Sequence, residues 1–191
     1  MTDERRGRRK LGGLVLEAAM VVFAVLVALA VDEWREGRQR ADLVDRARAA
    51  IEAELRANQA ELAAGGPTVA SLHAAVDTLV RGLRAGRRDL SWEIQADIPD
   101  FSDAAWQTAR ATGIMAHMDY PWVLQIARVY ETQDLAGAAQ NGLLDALGRA
   151  VVRPPELERA QDLQGSLYMA LQVYANLTDR YRELFGDAPG P

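Results

Sequence analysis

The chain has 191 residues with 22 basic against 27 acidic side chains, and its net charge of −5 argues against nucleic acid as a partner. It contains no cysteine, which excludes disulfides, a lipidated cysteine anchor and thiolate metal sites. A single lysine among so many arginines, with abundant alanine, is the composition of a GC-rich bacterial genome.

Five basic residues, Arg5, Arg6, Arg8, Arg9 and Lys10, lead directly into the run Leu11 to Val31, in which only Glu17 is ionisable. At about 1.5 Å per helical residue this run reaches roughly 30 Å, the thickness of a bilayer's hydrocarbon core. It therefore reads as a transmembrane helix. A cleavable signal ending at Ala28-Leu29-Ala30 is the competing reading. The apolar stretch before Ala28 is already longer than a usual signal core of roughly 7–15 residues, and a helical pattern continues beyond Val31, which favours an uncleaved anchor. Arg8-Arg9 is also the pair a twin-arginine export signal carries, but an arginine-rich flank produces such pairs freely. Residues 1–10 carry a net charge of +3, leaving −8 for the remainder. Basic flanks stay in the cytoplasm, so the expected placement is a single pass through the bacterial cytoplasmic (inner) membrane. The N-terminus is then cytoplasmic and the remaining domain periplasmic.

Trp34 sits where an interfacial aromatic belongs. From Asp32 to Ala64 no proline intervenes, and Val44, Ile51, Leu55 and Leu62 form one apolar stripe of a stalk helix. Gly65-Gly66-Pro67 is expected to end that stalk at residue 64. Thr68 to Ala85, with Val69, Leu72, Val76, Leu79, Val80 and Leu83 on one face, then reads as an antiparallel second helix. The stretch from Gly86 to Phe101 is irregular. Ser102 is the expected N-cap of a short helix from Asp103 to Thr112, closed by Gly113. Asp119 caps the next helix, whose core face is Val123, Ile126, Ala127 and Tyr130. Gly137 and Asn141-Gly142 leave its continuation to Ala150 open. Pro154-Pro155 opens a last helix to about Phe185, with Leu157, Ala160, Leu163 or Gln164, Leu167, Leu171, Tyr174 and Tyr181 in register. The expected fold is all-α: a transmembrane helix 11–31 after a basic flank 1–10, then an extracytoplasmic antiparallel bundle of four or five helices over 32–186, and a disordered tail 187–191.

The basic flank, the apolar span and Asp32-Glu33-Trp34-Arg35, followed by Glu54-Leu55-x-x-Asn58, resemble a class of uncharacterised bacterial single-pass membrane proteins. Glu17 near the start of the span, Val25-Leu26-Val27-Ala28-Leu29 near its end, and Trp106 with Ala111, Gly113 and Tyr130 extend the likeness. What the resemblance implies is a membrane anchor with a domain of unknown function, and no activity.

Glu17 is the sharpest candidate for a site, because a carboxylate inside a membrane normally has a partner. At 100° per residue, Gly13, Glu17, Met20, Ala24, Ala28 and Val31 share one helix face, and small residues at such spacing let helices approach closely. The expected use is a helix–helix contact in a homo-oligomer or with a larger membrane-protein partner; the plainer reading has Glu17 reaching for the headgroups or Lys10. His73 with Asp77, and His117 with Asp119, read as ordinary surface pairs, since two histidines without an HExxH pattern make no metal site. Asp97, Asp100 and Asp103 lack the glycine and spacing of a calcium loop and read as turn and cap residues. Glu52, Glu54 and Glu61 have no Glu-x-x-His companions for a di-iron bundle. No phosphate loop or nucleophile elbow is present, so no cofactor and no catalysis are expected. Trp92, Trp106, Trp122 and Tyr130, with Phe101, are candidates to line a small-molecule pocket between helices, or to fill the core beneath irregular segments.

These readings point to a membrane-anchored structural or interaction protein. The alternative is an extracytoplasmic ligand-sensing bundle signalling through a separate membrane partner, because only ten residues precede the span.

Overall fold

Alanine, arginine and leucine are the commonest residues in the first half of the chain, and these are among the residues that lose least on entering a helix. In the computed structural model they form one uninterrupted helix, α1, Asp3–Arg84. It is followed by α2, Ala104–Ala111, a 3-10 turn at Ile114–His117, α3, Tyr120–Val151, and α4, Leu157–Phe185. The structure describes the backbone of residues 3–87, 97–151 and 156–186, and their side chains except those of 3–16, 18, 19 and 151. Among the described residues there is no strand, so the expected all-α class holds.

Two units make up the chain, Met1–Arg46 and Ala47–Pro191. In the first, α1 exposes apolar side chains on every side: Met20, Val21, Val22, Phe23, Val25, Leu26, Val27, Leu29 and Val31 all stand open. Among the described residues no helix is long and apolar enough to cross a membrane. The expected span 11–31 lies partly outside the residues whose side chains are described, as do the flank 1–10 and the tail 187–191.

The second unit holds the core. The expected break at Gly65-Gly66-Pro67 does not occur: Pro67 lies inside α1. Proline removes its own N–H and its ring crowds the carbonyl four residues back, that of Ala63, which is exposed and open to water. Against that loss stands a continuous buried stripe. Ile51, Leu55 and Leu62 before the proline, and Val69, Leu72, Val76, Leu79 and Val80 after it, all enter the same core. Stalk and second helix are therefore one element, without a reversal. α1 ends instead at Gly86, whose φ of +78° suits glycine. There the Arg87 N–H reaches the Gly82 carbonyl at 3.1 Å and the Gly86 N–H reaches that of Leu83 at 3.0 Å, the paired bonds of a Schellman close.

Helix directions follow from cross-helix contacts. Gln133 and Gln140 on α3 meet Tyr181 and Tyr174 on α4 respectively, so α3 and α4 are antiparallel. Asp77 meets Gln164, while Gln59 meets Gly186 near the end of α4, so α1 also runs antiparallel to α4. α3 continues through Gly137 and Asn141-Gly142, because Ala136, Leu143, Ala146 and Leu147 keep one buried face. Asp119 caps it as expected, its Oδ1 accepting the Trp122 N–H at 3.0 Å. Of the apolar register expected for α4, Leu157 alone is on the surface.

Candidate functional site

Among the described residues, a connected polar cluster joins α1, α3 and the segment 97–106. Glu54 and Asn58 stand one turn apart on α1, so both face the same way. Asn58 grips Ser102 at both ends: its Nδ2 donates to the Ser102 carbonyl at 2.7 Å, and its Oδ1 accepts the Ser102 N–H at 3.0 Å. Glu54 Oε2 accepts the Ser102 hydroxyl at 2.8 Å and the Ala105 N–H at 2.9 Å, while Oε1 accepts the Tyr130 hydroxyl at 2.6 Å. The expected N-cap of α2 was Ser102. The residue at that position is Asp103, without a side-chain bond to the helix start. The Ser102 hydroxyl still accepts the Ala104 N–H, at 3.4 Å, while Glu54, from another helix, accepts that of Ala105; a carboxylate at a helix N-terminus also meets the favourable end of its dipole.

Packing surrounds this latch. Trp106 stacks on Tyr130 with centroids 5.0 Å apart, and Phe101 meets Tyr174 edge-on at 6.4 Å. Gln140 Nε2 donates to the Pro99 carbonyl at 2.7 Å and to the Tyr174 hydroxyl at 3.0 Å. A Cβ placed on Gly65 would lie 2.7 Å from Pro99 Cγ and 3.2 Å from the Asp97 carbonyl. Gly65 therefore serves close approach of this segment, where the sequence suggested helix termination.

One layer further in, Gln133 Nε2 donates to the Tyr181 hydroxyl. Gln133 Oε1 is buried and has no hydrogen-bond partner among the described residues. Burial is the main cause that raises the Tyr130, Tyr174 and Tyr181 hydroxyls above the ordinary tyrosine range. The hydrogen bond to Glu54 and its charge add to the effect at Tyr130. At Tyr174 and Tyr181 the bonds from Gln140 and Gln133 oppose it. All three remain neutral phenols at neutral pH. Glu54 has three donors already in place and Tyr130 has spent its proton on Glu54. The arrangement holds α2 against α1 and α3 and leaves neither group poised for general acid–base work.

The residues singled out in the sequence separate into several places. Trp106, Trp122 and Tyr130 are buried in the core, and Trp92 lies outside the described residues. Trp122 lies under the Arg48 guanidinium at 4.9 Å. A cavity of about 50 Å³ beside Gln59, Leu62 and Tyr181 has none of these aromatics in its wall. A second, of about 390 Å³, is bounded by Pro121, Leu124, Arg128 and Arg180 and likewise has none of them. Glu17, Met20, Ala24 and Ala28 are exposed on α1, and the surroundings of Gly13 lie outside the described residues. Trp34 is exposed with Arg38 4.8 Å over its ring. Asp77 pairs with Arg81 at 3.1 Å and leaves His73 aside. Asp103 accepts from Gln107 at 3.0 Å, a local helix contact. Among the described residues no group of three or more His, Asp or Glu side chains is placed to hold a metal ion.

Nothing local in the sequence marks the Glu54–Ser102 latch as a unit. Its partners lie 44 to 76 positions apart, beyond any short-range pattern. Comparison with known protein families, curated proteins and solved structures finds no match to the chain.

Proposed function

We propose that the chain is a membrane-anchored structural or interaction protein that presents its helical unit, 47–186, outside the cytoplasmic membrane. The observation that carries this reading is the collar from Met20 to Val31, apolar around the whole circumference of α1 and open on all sides. A helix that is hydrophobic all round belongs in a large core or in lipid. The described collar is only about 18 Å long at 1.5 Å per residue. With the Leu11–Ala19 segment of the same sequence run it reaches spanning length, behind five basic residues. Exposed Trp34, three residues past the collar, suits the interfacial zone.

The latch supports a structural role for the remainder, since its polar groups are occupied in holding the unit together. The seven-residue spacing of Val44, Ile51 and Asn58 suits self-association of the stalk, with a polar residue to fix register. Ile51 is in the core and Asn58 is bound to Ser102, however, so that spacing has little left to use between chains. Contacts with partners then fall to the apolar collar or the surface of the second unit. The test is alkaline extraction of membranes followed by N-terminal sequencing. The expected result is retention in the membrane with residues 1–31 intact. A soluble protein beginning at Val31 would refute the reading.

A further inference from the structure

A cleft between the first turns of α3 and the last turns of α4 takes no part in the latch. It encloses about 390 Å³, within the range that small-molecule sites occupy. Pro121, Leu124, Arg128 and Val129 line it from α3, at spacings that put them on one helix face. Arg180 and Glu183 line it from α4. Arg128 is exposed, and its guanidinium has no hydrogen bond or ion pair among the described residues. Arg180 pairs with Glu183 at 3.2 Å, so two guanidiniums against one carboxylate leave one positive charge over. Leu124 is 40 % exposed and Tyr120, one turn before it, is 70 % exposed. A lone exposed leucine is ordinary on a surface. This one borders a concave site, next to an unanswered charge.

Ligand classes meet these walls differently. A cation faces net positive charge. A neutral apolar molecule would cover Leu124 but would take water from Arg128 and return no hydrogen bond. A phosphate dianion would set two negative charges against one positive, beside Glu183. An organic acid answers both needs. Its carboxylate can accept two parallel N–H bonds from a guanidinium, and its body can cover Pro121 and Leu124. We infer that the cleft binds a small amphiphilic carboxylate, with Arg128 as its anchor. The site lies wholly within the second unit and does not depend on the membrane anchor.

The test is equilibrium dialysis of the full chain in a maltoside detergent against phenylbutyrate. Phenylbutanol is the neutral counterpart, inorganic phosphate the bare anion, and micelles alone the blank. Phenylbutyrate should bind saturably with a dissociation constant of about 1 mM or tighter, the ordinary yield of about twelve heavy atoms. Arg128→Gln should weaken that binding about tenfold, the loss of one charge-assisted contact. The same variant should keep the wild-type melting temperature, because the fold makes no use of that guanidinium among the described residues. Phenylbutanol should bind about tenfold more weakly than the acid. Equal binding of acid and alcohol, or unchanged affinity in Arg128→Gln, would overturn the inference. So would the absence of saturation at about ten times the expected constant. Inorganic phosphate binding more tightly than phenylbutyrate would overturn it too, since the apolar wall would then contribute nothing.

Discussion

Replacing Glu54 by alanine removes the acceptor of three donors at once. The Tyr130 hydroxyl, on a residue only 4 % exposed, is stranded. Leaving a buried donor unsatisfied costs about 1–3 kcal/mol, and the lost bond was to a charged group. The Ala105 N–H at the start of α2 loses its acceptor too, a capping loss of about 1 kcal/mol. The Ser102 hydroxyl is exposed and returns to water at little cost. The sum is about 2–4 kcal/mol, or a melting temperature lower by roughly 5–12 °C for a protein of this size. Circular dichroism of the full chain in detergent, with thermal and urea unfolding, measures it. A double-mutant cycle with Tyr130→Phe should give a coupling of about 1.5–3 kcal/mol, because the two residues share one bond. A Glu54→Ala protein within about 0.5 kcal/mol of wild type, or a coupling near zero, would refute the latch.

Adjacent glycines should respond in opposite directions. Gly65→Ala forces a methyl against Pro99 and should destabilise by about 1–3 kcal/mol, whereas Gly66→Ala meets nothing within 4 Å and should stabilise by about 0.5–1 kcal/mol. Chemical denaturation of the two variants decides it. Gln133 and Tyr181 share a buried bond that leaves Gln133 Oε1 without a partner among the described residues. The double change Gln133→Met with Tyr181→Phe should be neutral or stabilising, whereas Tyr181→Phe alone should destabilise by about 1–2 kcal/mol, both read from urea midpoints. Alkaline pH should also weaken the fold. Tyr130, Tyr174 and Tyr181 are raised in the folded state, so their contribution is complete below the unfolded tyrosine value near 10 and is lost as pH rises above it. Melting temperatures flat from pH 7 to 9 and falling beyond 10, with the tyrosinate absorbance of these three buried residues appearing as the helix signal disappears, are the expected record.

Much of the fold is legible because burial imposes a period on the residues that supply it. Val69, Leu72, Val76, Leu79 and Val80 share one face in the sequence and are all buried. The break expected at Pro67 weighs local punctuation above register. Leu55, Leu62, Val69, Val76 and Leu83 are seven apart, as are Ile51, Asn58, Gly65, Leu72 and Leu79, and neither series slips across the proline. A chain reversal gives no reason for such a register to survive. The α3–α4 pairing has a comparable signal in two glutamines, Gln133 and Gln140, and two tyrosines, Tyr174 and Tyr181, each pair seven apart. The latch is legible only in part. Asn58 stands out as polar within an apolar series, but its partner Ser102 is 44 positions away, and nothing local to either residue reports the other. Spacing alone assigns Asn58 to contacts between chains; the fold uses it within one.

The absence of native cysteine makes single-cysteine labelling the most direct test of an anchored, exported unit. Ala175 is exposed on α4, and Thr2 lies in the basic flank. In intact cells with a permeable outer envelope, a membrane-impermeant maleimide should modify Ala175→Cys, whereas Thr2→Cys should react only after the cytoplasmic membrane is opened. Labelling of Thr2→Cys in intact cells, or protection of Ala175→Cys until the membrane is opened, would contradict the account.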